Sequence, residues 1–173
     1  MSSNKWPVQR VVVDDAVIDA GDPWEVVDPV WWTGNIYDGV DEYDASLREY
    51  TDRQRLVFAA IWYVSEVNNG GHDQFFFNST GIVWPDAVRA FREIGLPQVS
   101  EILIESGRRL GGEPSRDRFE RQAQLEDTEA DFRDLDDRFY ELQNEVNIDD
   151  ALAAYIKKHR SDFYFEGSIR KPQ

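Results

Sequence analysis

Apolar residues recur at threes and fours through most of the chain. In TDRQRLVFAAIWYVSEVNNGG, residues 51–71, Leu56, Val57, Ala60, Ile61, Val64 and Val67 follow the period of a helix with one face in a core. Thr51 and Gln54 have capping-box spacing, in which each side chain bonds the other's backbone N–H. Gly70 and Gly71 supply a stop, because glycine tolerates the left-handed conformation at a helix end. WPDAVRAFREIG offers Pro85 at a first helical position and Gly95 as a stop, and LPQVSEILIESGRRLGG repeats the pattern from Pro97 to Gly111 and Gly112. PSRDRFERQAQLE predicts another helix, and EADFRDLDDRFYEL puts Phe132, Leu135, Phe139 and Leu142 at i, i+3, i+7 and i+10. NIDDALAAYIKKHRSDF closes the set, with Asn147 as N-cap and lysines near its end to suit the dipole. No segment alternates with the two-residue period of a sheet.

The first 50 residues follow no single period. RVVVDDAVIDAG could open as a short strand before a helical turn, and the next stretch is broken by Pro23, Pro29, Gly34 and Gly39 into short helices and loops that carry tryptophans. The expected organisation is mainly α: one compact helical bundle of about seven to nine helices, with little or no sheet. Residues 1–46 form an acidic segment packed on the core, 47–165 the helical domain and 166–173 a tail. No repeat and no low-complexity linker divides the chain.

Composition narrows this. A chain of 173 residues is large enough to bury roughly two thirds of its unfolded surface in one core. Six tryptophans and 13% aromatics mark a folded protein in spite of its charge. The absence of cysteine removes disulfides, thiolate nucleophiles and thiolate metal sites. MSSNKWPVQR has no apolar signal core, and no apolar run approaches the roughly 18 residues of a membrane span, so a cytoplasmic protein without membrane contact is expected.

Charge is the strongest global signal: 34 acidic against 19 basic side chains, net −15. It is unevenly spread. Residues 1–52 carry −9, residues 53–112 are neutral, 113–150 carry −9 again and 151–173 carry +3. Such a surface repels nucleic acid and acidic membranes and steers basic partners toward it.

Candidate chemistry is sparse. His72 and His159 lie in no metal-ligand spacing, and no GxSxG, P-loop or GxGxxG occurs. The aspartates at 131, 134, 136 and 137 lack the glycine of a calcium loop and follow a helix period instead. No catalytic residue, metal or cofactor is assigned. The densest cluster is EVNNGGHDQFFFNSTG, residues 66–81. His72 and Asp73 could act there as base and acid beside Asn68, Asn69, Gln74 and Asn78, as a small-molecule enzyme or binding module would require. The better-supported reading is structural. Asn68, Asn69, Gly70 and Gly71 end one helix; His72, Asp73 and Gln74 begin the next; Phe75, Phe76 and Phe77 press between neighbours; Asn78 and Gly81 terminate it.

VNNGGHDQFFFNSTG, with the alanine and Ile-Gly of DAVRAFREIG, resembles the bacterial domain family named for a DNA-mimic protein, otherwise a domain of unknown function. The similarity continues through LDDRFYEL and YIKKHRSDF, roughly Leu47 to Phe163. That family more often carries an aromatic residue where His72 stands. The resemblance implies a helical domain, often a homodimer, that displays carboxylates like duplex phosphates and occupies the DNA-binding face of a helix-turn-helix transcription factor.

The charges provide an independent ground for such a reading. Glu126–Asp150 holds 11 acids against Arg133 and Arg138. With Phe132, Leu135, Phe139 and Leu142 buried, Glu126, Asp127, Glu129, Asp131, Asp134, Asp136, Asp137 and Glu141 are left for solvent-facing sides. Residues three or four apart on a helix stand about 5–6 Å apart, comparable to successive phosphates. Asp38, Asp41, Glu42 and Asp44 form a second candidate patch. The expected partner is a basic DNA-binding protein, with no direct contact to nucleic acid; an immunity-type inhibitor of a basic toxin would use the same physics.

Overall fold

The computed structural model describes residues 6–172. Its elements run β1 (Val8–Val13), α1 (Asp15–Ala20), α2 (Pro23–Thr33), α3 (Val40–Ser46), α4 (Asp52–Phe77), α5 (Trp84–Ile94), α6 (Pro97–Arg109), α7 (Arg118–Thr128), α8 (Arg133–Glu145), α9 (Ile148–Lys158) and β2 (Phe165–Arg170). Short 3-10 turns at Ser79–Val83 and Arg160–Asp162 complete the path. The protein is a helical bundle with one small sheet.

The capping box forms as its spacing predicts. Thr51 Oγ1 accepts from the Gln54 N–H at 3.1 Å, and Gln54 Oε1 accepts from the Thr51 N–H at 2.9 Å. From this start α4 runs through the middle of the molecule. Six consecutive residues, Leu56 to Ile61, are at most 2% exposed, so the helix is enclosed on several sides rather than along one stripe. Helices α2, α5, α7 and α8 pack against it. Trp31 of α2 stacks on Trp62 of α4 with centroids 4.1 Å apart, which fixes the N-terminal segment to the bundle. The buried Tyr43 hydroxyl reaches Asp86 at 3.3 Å and holds α3 to α5.

Of the segment 166–173, expected as a tail, residues 166–170 lie in a strand. β1 and β2 pair antiparallel from Val8 opposite Arg170 to Val13 opposite Phe165. The first strand and the helical turn after it fall where RVVVDDAVIDAG allowed them; the second was not read, because the pairing joins residues more than 150 positions apart.

The two glycines of the motif act as a break inside α4. Gly70 has φ −157° and Gly71 has φ 70°, ψ −174°, a combination open to glycine alone, and the helix resumes at once. His72, Phe75 and Phe76 turn inward from the restarted segment, all fully buried. Phe77, expected in the same aromatic plug, is 55% exposed. Three consecutive residues span most of a helical turn, so one of them must face outward.

Candidate functional site

Helix α7 is laid across the end of α4 by polar capping. Arg121 is completely buried, yet no carboxylate pairs with it. Its guanidinium donates to Phe76 O at 2.8 Å, Asn78 O at 2.7 Å and Ser115 O at 2.7 Å, so carbonyls at and just beyond the C-terminus of α4 receive a charged donor. Gln122 donates to Phe77 O at 2.8 Å and Arg118 to the same oxygen at 3.2 Å. Burial pulls the Arg121 pKa down to about 10, so the side chain stays cationic. Gly81 makes room for it; a methyl group there would collide with the guanidinium.

Helix α8 is anchored beside the glycine break. Asp136 Oδ1 accepts from the His72 N–H at 2.9 Å and lies 2.6 Å from His72 Nδ1. A methyl group at Gly71 would strike the same carboxylate. The other ring nitrogen of His72 meets the Tyr63 hydroxyl at 2.9 Å. The Tyr63–His72–Asp136 chain has catalytic residue types, but its imidazole is fully buried and both nitrogens are engaged inside the fold. Its geometry ties α8 to α4. Among the described residues, no group of three or more histidine and carboxylate side chains is arranged to hold a metal ion.

The predicted acidic residues divide into two sets. Asp136 was expected to face solvent; its side chain is only 18% exposed because it caps the restarted helix. Asp134 accepts from Arg109 at 2.8 Å, and Asp131 accepts from Arg133 at 3.0 Å. Asp44 takes both Arg116, at 2.7 Å, and Arg55, at 3.0 Å. Arg109, Arg133 and Arg116 hold the carboxyls of Asp134, Asp131 and Asp44, respectively, below the usual range. These four carboxylates are spoken for. The exposed Glu126, Asp127, Glu129, Asp137 and Glu141 have no cationic partner among the described residues, and neither do Asp41 and Glu42 in the first turn of α3. Asp38 accepts only from the Asn35 amide, at 2.8 Å.

Two grooves carry three of these groups, Asp38, Glu126 and Glu129. A small one of about 220 Å³ lies between Asp38, Asp117, Arg118 and Phe119. A larger, open one of about 1190 Å³ lies between the restarted half of α4 and α7, with Asp73, Gln74 and Phe77 on one wall and Phe119, Gln122, Ala123 and Glu126 on the other. Glu129 and Ala130 close its end. Phe119 lines both grooves, so the outer side of α7, about 16 Å long for its 11 residues, runs from the α3 patch to the α7–α8 carboxylates. Burial, then the charges of Asp136 and Asp131, push the Asp73 carboxyl above the ordinary aspartate range.

The pattern of charges did not show that Asp134 would be neutralised, because Arg109 and Asp134 lie in different helices. Phe119, 80% exposed, was also missed; its signal is a phenylalanine off the Leu125 side of a mostly polar helix.

Buried polar caps hold the peripheral helices while several of their outer carboxylates have no cationic partner among the described residues, which makes this an acidic helical-bundle domain. The family described as DMP19-like protein matches residues 48–159, and the chain belongs to it. This is consistent with a DNA-mimic type of domain, and the family is not a known enzyme family. Comparison with curated proteins and comparison with solved structures each gave no match. No helix among the described residues is long and apolar enough to cross a membrane.

Proposed function

We propose that the protein is a DNA mimic: its acidic face occupies the DNA-binding surface of a basic partner, such as a helix-turn-helix transcription regulator, and blocks that partner's access to DNA. The observation that carries this reading is the unpaired set Glu126, Asp127, Glu129, Asp137 and Glu141 on two helices that the fold holds rigid. Asp137 and Glu141 are four residues apart on α8, a spacing of about 5–6 Å that a basic surface built for phosphates can meet. Concentrating like charges costs stability through self-repulsion, and solubility alone would be served as well by dispersed charge. Membership of the DMP19-like family supports the same reading.

The test is capture from native extract. The full chain, immobilised at low salt, retains DNA-binding proteins that added duplex DNA releases. A variant carrying Glu126→Gln, Asp127→Asn, Glu129→Gln, Asp137→Asn and Glu141→Gln keeps its circular dichroism and retains none of them. Equal retention by the variant, or no DNA-binding protein on the native chain, rejects the proposal.

A further inference from the structure

The groove between α4 and α7 has a chemistry that phosphate mimicry does not require. Its walls are single faces of two helices: Gly70, Asp73, Gln74 and Phe77 from α4, and Phe119, Gln122, Ala123 and Glu126 from α7, each set spaced as one side of a helix. At its floor and mouth stand Phe77, 55% exposed, and Phe119, 80% exposed. Leaving two phenylalanine rings in water forgoes the burial that places most such rings in a core. The charged side chains lining the groove are Asp73, Glu126 and Glu129, with no lysine or arginine among the lining residues. None of the three has a cationic partner among the described residues. Arg118 stacks over Phe77 at 5.9 Å but lines the smaller groove instead.

We infer that this groove receives a basic amphipathic helix of the partner protein, apolar residues against Phe77 and Phe119 and flanking lysines or arginines against Asp73, Glu126 and Glu129. The inference rests on the DNA-mimic reading and adds a specific seat to it. The groove is open along the faces of two helices, a shape that suits a helix laid in it. Charge complementarity selects a cationic occupant, while the exposed rings select one that also carries an apolar stripe. Carboxylates alone would recruit any polycation; the two rings give discrimination, since buried aromatic anchors dominate interface energetics.

The experiment measures affinity of the full chain for three probes of equal charge: an amphipathic lysine–leucine helix, a scrambled peptide of the same composition, and oligolysine. The amphipathic peptide binds at least tenfold more tightly than the other two. Phe77→Ser with Phe119→Ser abolishes that preference without altering the circular dichroism, and Glu126→Gln with Glu129→Gln weakens the amphipathic peptide more than Asp137→Asn with Glu141→Gln does. Equal affinity for all three probes, unaffected by the phenylalanine changes, overturns the groove while leaving the mimic reading standing. No binding of any polycation overturns both. A dimer that the phenylalanine changes dissociate assigns the groove to a second copy of the chain and also overturns the inference.

Discussion

Asp136 grips His72 twice, accepting from its backbone N–H at 2.9 Å and meeting its Nδ1 at 2.6 Å. A carboxylate only accepts, so Nδ1 carries the proton, and in the neutral ring Nε2 takes a hydrogen bond from Tyr63. The most conspicuous histidine of the sequence is therefore a strut between α4 and α8. His72→Phe strands the fully buried Tyr63 hydroxyl and removes the side-chain bond to Asp136, for a loss of about 2 kcal/mol in unfolding free energy. Adding Tyr63→Phe removes the stranded hydroxyl as well and restores about 1 kcal/mol of that loss. Denaturant melts of the two variants check the order.

Arg121 is the corresponding strut for α7. Arg121→Met takes the charged donor away from the carbonyls of Phe76, Asn78 and Ser115 and costs about 3 kcal/mol or more. Gly81→Ala drives a methyl group into the guanidinium, with an expected cost of about 2 kcal/mol. Both are read in thermal or denaturant unfolding. An unchanged midpoint for Arg121→Met contradicts the capping role.

Local chemistry was legible in the sequence wherever it stayed local. The Thr51–Gln54 box, the glycine break and the Phe132–Leu135–Phe139 stripe each depend on residues within one or two turns. The strand pair and the neutralisation of Asp134 and Asp44 were hidden because their partners are distant: Phe165 pairs with Val13, Arg109 reaches Asp134 from another helix, and Arg116 reaches Asp44 from 72 residues away. The motif itself has two sides. His72, Phe75 and Phe76 build the core, while Asp73 and Phe77 face the groove, so a stretch that looked electrically neutral contributes a carboxylate to the acidic face.

Glu129 is the one non-glycine residue with positive φ among the described residues, at 47°, where it caps α7. A left-handed backbone costs a side-chain-bearing residue about 1 kcal/mol relative to glycine. Glu129→Gly therefore stabilises the fold by about 1 kcal/mol while removing a carboxylate from the groove, so the melting midpoint rises as partner affinity falls. Parallel melting and binding measurements on this single variant separate the two effects.

The carboxyls titrate in a defined order. Asp73, raised by burial and by its acidic neighbours, protonates above the ordinary aspartate value of about 3.9, whereas Asp131 and Asp134 protonate below it. Glu105 is held down at about 2 by Arg108 and Arg109. For the depressed group the sign is plain: the stability it adds is present above the unfolded value near 4.3 and is lost as pH falls toward about 2. Asp73 works oppositely, its favourable contribution being present at low pH and lost as pH rises through its folded value. Carboxyl-carbon NMR titration reads all four directly.

Occupation of a DNA-binding surface by unpaired carboxylates is read by displacement. A DNA-binding protein captured by this chain is bound to its fluorescent duplex, and the chain is titrated in while anisotropy is followed. The account predicts that the native protein releases the duplex, that release weakens as salt rises, and that the variant neutralised at Glu126, Asp127, Glu129, Asp137 and Glu141 fails to release it. Release by the neutralised variant at the native concentration, or a stable ternary complex in which protein and duplex are bound together, would contradict it.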